Sequence, residues 1–332
     1  MSWWRALVAA GAVPANASPA ELGYRAEEDG TEVAEADLVE DAEVQIHDLT
    51  AVVPAAPTSV SFLNGIERWQ VVAYDGVAPV VSAYVSAAVR RRDSRGLLRT
   101  TFERARAFAM APLERMTPAF RKVLEEQCPD VEPMAGALAG QPIRFLQTVD
   151  TTVRRSRAKL ERELAETTIA ALGDDERLVL DGLLSRSPAV ARHPRALGVI
   201  KSHGAQFLEA RGVEHALTLP AGYRTSVFRV RGGHTRTEVY SWYLRLWPWE
   251  GNDLLYGLLR IEARPDAETI RTASAISAWL LAERAPIATP AARWDRLLYP
   301  LHNVEEYLKS RAPRDLQRSQ VARVSRLPKT GS

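Results

Sequence analysis

The alternation of apolar and polar positions divides the chain into a β-rich early part, a helical middle and an α/β remainder. Ser59-Val60-Ser61-Phe62-Leu63 reads as a strand and Asn64-Gly65 as a turn signal. Trp69 to Tyr74 reads as a second strand, Asp75-Gly76 as another turn signal, and Val80 to Val89 as a third strand. Three such runs joined by short turns predict an antiparallel meander. From Leu97 to about Val149 the apolar spacing is helical but is broken by Pro112, Pro118, Pro129, Pro133 and Pro142, which predicts a helical insertion over about 97–149. Thr151 to Leu172 holds no proline or glycine, and Val153, Leu160, Leu164, Thr167 and Ala171 recur near helical spacing. That is an amphipathic helix with a charged outer face.

Beyond it, Leu178-Val179-Leu180 runs straight into Asp181-Gly182, and Leu197-Gly198-Val199-Ile200 runs into Lys201. Each is a short buried strand that stops abruptly and presents one charged group at its tip. Ala205 to Arg211 is expected to be helical. Glu238 to Trp247 alternates, with Tyr240, Trp242, Leu244 and Leu246 on one face and Tyr243 and Arg245 on the other, taken as polar. Leu254 to Arg264 is its expected antiparallel neighbour, Ala267 to Arg284 a long helix, and Val304 to Ser310 a last helix starting just after His302. The expected division is a helix and acidic arm over 1–52, closed by Pro54 and Pro57, a main domain over 53–312 and a basic tail over 313–332.

Charge changes this picture locally rather than globally. The formal net charge of the 332 residues is +2, so no overall field commits the chain to nucleic acid. Yet Glu21 to Glu43 carries ten acidic side chains against Arg25 alone, while Arg90-Arg91-Arg92, Arg154-Arg155-Ser156-Arg157 and the tail are basic. Separate clusters imply separate partners. The single cysteine, Cys128, excludes an intrachain disulfide and a thiolate zinc site and fits a reducing cytoplasm. Arg5 and Ala6 to Val13 imitate a signal peptide, but Trp3-Trp4 and the prolines favour a docking helix. No stretch is long enough to span a membrane. His193 and His203 lack the spaced partners of a zinc site, no phosphate-cradling glycine loop with Lys-Ser or Lys-Thr occurs, and no nucleophile elbow follows Asp181.

Three strands, a helix, a strand ending in Asp-Gly and further α/β units are the element order of the ribonuclease H-like fold. In that α/β fold a mixed sheet, an antiparallel three-strand meander plus parallel strands, is flanked by helices, and its first and fourth strands lie side by side at the centre. Their ends here are Asn64 and Asp181. In Phe62-Leu63-Asn64-Gly65, Val179-Leu180-Asp181-Gly182, Val199-Ile200-Lys201, Trp242-Tyr243-Leu244-Arg245 and Tyr299-Pro300-Leu301-His302 the chain resembles the NurA nuclease family over about residues 58–310. The resemblance implies a DNA nuclease that uses Mn²⁺ or Mg²⁺, works as a homodimer docked on a hexameric HerA-type ATPase translocase, and processes DNA ends in repair or attacks invading DNA. It implies metal ligation by Asp181, the residue at Asn64, a glutamate of the amphipathic helix and His302. Glu161, Glu163 and Glu166 all lie on that helix; family spacing favours Glu161 or Glu163, and Glu161 sits beside the Leu160–Leu164 seam. Lys201 is the expected phosphate neutraliser, and Tyr243, Arg245, Arg154 and Arg155 are the expected DNA contacts. The acidic arm and Trp3-Trp4 are candidate translocase contacts.

The chemistry independently asks for such groups. Phosphodiester cleavage needs an activated water and a counter-charge for the leaving oxygen, and hard ions that supply both want oxygen ligands. Asn64 departs from this requirement. Where the family has aspartate it offers a neutral amide, a weaker ligand with one negative charge fewer. Asp75 is the nearest substitute but lies at the other end of the second strand. The alternative function is a catalytically inactive nuclease-like subunit that guides DNA or scaffolds the translocase; a third is an RNA-directed nuclease.

Overall fold

The computed structural model describes residues 3–11, 13–17, 32–33, 36–201, 205–231, 237–250, 252–284, 294–314 and 316. Three long strands dominate: β1 (Ser59–Asp75), β2 (Ala78–Arg92) and β3 (Leu98–Ala111), rich in Val, Ala and aromatic residues. The hairpin between β1 and β2 turns at Asp75-Gly76, where Gly76 has φ +59°. Asn64-Gly65 is not a turn. β1 runs through it without a break, with Asn64 paired to Ala88 and Gly65 to Ala87 of β2. The two strands expected over 59–63 and 69–74 are therefore one, and the meander gains its third member from Leu98–Ala111, inside the expected helical insertion. Phe102, Arg104, Arg106, Phe108 and Met110 alternate there with small or polar residues, a period of two that the downstream prolines mask.

After β3 come α2 (Pro118–Gln127), following α1 (Trp3–Ala9) in chain order, and then α3 (Pro142–Ile169), which starts at Pro142 rather than Thr151. Proline suits that first helical position because its missing N–H has no partner there anyway. The strands β4 (Glu176–Asp181) and β5 (Ala196–Ile200) follow, then α4 (Ala210–Leu217), displaced from the expected 205–211. The chain closes with β6 (Phe228–Val230), β7 (Val239–Arg245), β8 (Leu258–Ala263), α5 (Ala267–Ala282) and α6 (Tyr299–Arg311). Asp266 caps α5 by accepting from the Thr269 amide at 2.8 Å. His302 lies within α6 rather than ahead of it.

The main sheet is mixed, with order β6-β7-β8-β5-β4-β1-β2-β3. β1, β4 and β5 are mutually parallel where they pair, and the β1–β2, β2–β3, β5–β8, β8–β7 and β7–β6 pairs are antiparallel. Leu63 is register partner of Leu180, so the next residues on each strand, Asn64 and Asp181, end up side by side at the sheet centre. On one face Phe62, Val179, Val199 and Trp242 pack against Trp279 of α5 and Leu301, Val304 and Leu308 of α6. On the other, Leu63, Leu178 and Leu180 pack against Leu164 and Ala165 of α3. Helices thus cover both faces, which the parallel central strands, apolar on both sides, require.

The acidic segment is not an extended arm where it is described. Ala36–Leu38 pairs with β6, and Ile46–Asp48 pairs with Tyr223–Thr225. Its carboxylates meet cations of the same chain: Glu40 binds Arg224 at 2.6 and 2.7 Å, and Asp37 binds Arg231 at 2.9 and 3.0 Å. No helix among the described residues is long and apolar enough to cross a membrane.

Candidate functional site

Gly65 decides where the helix glutamates go. A Cβ built on Gly65 would lie 2.4 Å from Glu161 Oε1 and 3.0 Å from its Cγ and Cδ. The glycine leaves a notch in β1, and the Glu161 side chain of α3 fills it. Glu161 Oε1 is buried and has no hydrogen-bond partner. Burial pushes its carboxyl up to about 7, opposed by Arg157, reinforced by Asp181, opposed by Arg186 and reinforced by Glu67. At neutral pH such a carboxyl is near half-protonated, able to take or give a proton.

Asp181 ends β4 beside Asn64, and its Oδ2 accepts from Lys201 Nζ at 2.7 Å. The two strand-tip charges identified in the sequence thus meet each other. Gly182 follows with φ +141°, a conformation that suits glycine, and its N–H returns to Val199 O at 2.9 Å.

Asn64 is buried and its amide is engaged on both sides: Oδ1 accepts from Gly65 N at 2.8 Å and Nδ2 donates to Leu301 O at 3.2 Å. It ties the centre of the sheet to the first turn of α6. That contact also brings the backbone of His302, the next residue, to the edge of the site.

Glu163 is directed elsewhere, forming an ion pair with Arg104 of β3, so it does not join Asp181. Glu166 accepts from Ser187 Oγ at 2.7 Å. Tyr243 and Arg245 are buried and do not form a polar face for DNA. The Arg245 guanidinium, wholly enclosed, donates to the carbonyls of Ala216, Leu217, Leu219, Leu254 and Tyr256, and burial holds it down at about 10. Arg154 is held by Asp150 at 2.8 Å, while Arg155 is exposed on the outer face of α3. The Arg90 run is engaged inside the chain as well, with Asn303, Glu176 and Glu283 as partners of Arg90, Arg91 and Arg92. Asp75 accepts from the Thr117 amide at 2.6 Å and stays at the far end of β1. His203 and the Trp3 and Trp4 side chains lie outside the described residues.

Two residues missed by sequence reasoning adjoin the site. Glu67, two positions after Gly65 and so on the same face of β1, is 3.3 Å from Arg157, which is 3.7 Å from Glu161. Arg186 is exposed just after the Asp181 turn and acts electrostatically on Glu161. Treating β1 as one strand through Gly65 places Glu67; nothing in the sequence singles out Arg186.

For a hard cation the donor set fits in part. Glu161 offers a buried oxygen with no hydrogen bond, 3.7 Å from Arg157, and Asp181 a carboxylate shared with Lys201, but the Asn64 oxygen already accepts from Gly65 N. The described residues hold a separate group of carboxylates and imidazole within 4.8 Å, Glu40, Asp41 and His47. Its members are occupied: Arg224 and the Val227 amide bind Glu40, and Ser226 Oγ donates to Asp41 at 2.6 Å. A scan of protein-family models and a search of curated proteins each find no match to the chain.

Proposed function

We propose that the chain is a metal-dependent DNA nuclease on a ribonuclease H-like scaffold of the NurA type, weakened by Asn64. The strand order β3-β2-β1-β4-β5, with Asn64 beside Asp181, supports the scaffold. The observation that carries the reading is Glu161, aimed into the Gly65 notch with a buried oxygen that makes no hydrogen bond and close enough to Asp181 to feel its charge. Glu161 and Asp181 would hold Mn²⁺ or Mg²⁺, which when bound supplies counter-charge for the phosphate and lowers the pKa of water. A bound ion would hold Glu161 as the charged ligand, against the upward push that burial exerts on its carboxyl without one, and Lys201 lies beside Asp181 to neutralise a phosphate oxygen. By the same resemblance the protein acts as a homodimer with a HerA-type translocase, in end processing or in defence against invading DNA.

A second reading, a non-catalytic DNA-guiding subunit, draws on the Asn64 amide: both of its polar groups serve the fold. Replacing Asn64→Asp separates the two. The nuclease reading expects Mn²⁺-dependent degradation of linear DNA to rise by about 10–100-fold, with or without the ATPase, since ligand environment changes affinity on that scale. A folded Asn64→Asp protein inert under all those conditions leaves the subunit reading. Running DNA and RNA substrates in parallel tests RNA specificity.

A further inference from the structure

The turn after Asp181 is held by a buried carboxylate from a strand that the reaction itself does not touch. Glu262 of β8 is 1 % exposed, and one of its oxygens accepts from Arg260 Nη1 at 2.8 Å. Its other oxygen accepts from the Leu184 amide at 2.8 Å and the Ser185 amide at 3.3 Å. These amides lie just past Asp181-Gly182, with Leu183 between.

The path to them runs over Gly198, the register partner of Glu262 on β5. A Cβ there would lie 2.6 Å from Gly182 O and 3.2 Å from Leu184 N, so only glycine lets the Gly182 carbonyl and the turn sit down on β5. The turn is thus fastened by the Gly182 N–H to Val199 O at 2.9 Å, the Thr237 amide to Ser185 O at 2.8 Å, and the Glu262 carboxylate. Arg260 is fixed in turn by Ser241 Oγ at 3.1 Å and lies 4.4 Å from the Phe207 ring centroid.

Stability alone does not account for this pair, because apolar residues of similar volume often replace a buried ion pair without loss. What apolar residues cannot do is accept two backbone hydrogen bonds. We infer that Glu262, neutralised by Arg260, is a positioning residue that fixes the Asp181-Gly182 turn and so aims the Asp181 carboxylate. This rests on the nuclease reading for its catalytic consequence, though not for the geometry of the turn.

The experiment has two arms. In the unmodified protein, hydrogen exchange is followed at Leu184 and Ser185; protection comparable to that of Val199 in β5 is expected, and exchange as fast as in an open loop overturns the proposal whatever the protein's activity. In the Asn64→Asp protein, melting and Mn²⁺-dependent DNA cleavage are compared for the double replacement Arg260→Met/Glu262→Leu and for Glu262→Gln. The double variant should stay folded with a lowered melting temperature, since two backbone amides lose their acceptor, and lose cleavage by about 10–100-fold at a temperature where it is folded, the scale of outer ligand-orienting contacts. Glu262→Gln, which keeps an acceptor for Leu184, should recover most of that loss. Unchanged cleavage in a folded double variant overturns the proposal. Should the double variant not fold, the exchange of Leu184 and Ser185 in the unmodified protein decides by itself: open-loop exchange overturns the proposal and strand-like protection supports it. An inert Asn64→Asp parent removes the nuclease reading, while the exchange arm still decides whether Glu262 holds the turn.

Discussion

Asn64-Gly65 and Asp181-Gly182 are nearly the same dipeptide on neighbouring strands, and the structure uses them in opposite ways. At the first, the strand continues, the amide is buried and tied to Leu301 O, and the glycine's missing Cβ admits Glu161. At the second, the strand stops, the glycine turns at φ +141° with open space where a side chain would go, and the carboxylate stays half-buried against Lys201. The lesson is that a glycine after a polar residue reports either a backbone need or a space need. Sequence alone does not say which.

The largest effect that tests this contrast is at Asp181, the carboxylate of the proposed site. In the Asn64→Asp protein, Asp181→Ala should lower DNA cleavage about 1,000-fold, equivalent to ~4 kcal/mol of transition-state stabilisation, with the fold kept by circular dichroism. Retained cleavage would remove Asp181 from the site.

Next comes Glu161→Gln, expected to cost about 100-fold in cleavage by replacing a charged ligand of the ion with a neutral amide. It also makes a stability prediction with a definite sign. Because the folded carboxyl titrates at about 7 rather than its usual 4.5, folding favours its protonated form. That stabilisation is fully present below about pH 4.5 and is lost as pH rises through about 7, on the order of 3 kcal/mol in all by linkage. Glu161→Gln should therefore raise the melting temperature relative to the parent at pH 8 more than at pH 5. Equal shifts at both pH values would contradict the burial of the charge.

The smallest effect compares the glycines directly. Gly65→Ala should destabilise by about 1–3 kcal/mol through overpacking against Glu161, and Glu161→Ala should relieve most of it in a double-mutant cycle. Gly182→Ala should cost a similar amount through backbone strain and gain nothing from Glu161→Ala. If Glu161→Ala rescues both or neither, the two glycines do not serve different ends.

Much of the scaffold was legible because central strands are short apolar runs with abrupt ends. β4, β5, β8 and α5 lie close to where periodicity puts them, and the meeting of Asp181 with the Asn64 strand follows from their order. What was not legible depends on partners distant in sequence. The Asn-Gly turn signal of β1 yields to a glutamate from a helix nearly a hundred residues on, as the Gly65–Glu161 contact shows. The polarity assigned to Tyr243 and Arg245 fails because five backbone carbonyls solvate a guanidinium as water would. The choice between Glu161 and Glu163 turns on which side of α3 faces the notch, and Arg104 claims the other.

The short strand at Ala36–Leu38 has a consequence for how copies of this chain can meet. It occupies the β6 edge of the main sheet, as Val131–Pro133 occupies the β3 edge, and each is only three residues long. Long bare edges invite another chain to add a strand, and very short ones discourage it. The segment read from sequence as an arm reaching for a translocase thus closes the sheet instead: removing residues 1–52 would expose the Phe228–Val230 edge, itself three residues long, and take Glu40 and Asp37 away from Arg224 and Arg231.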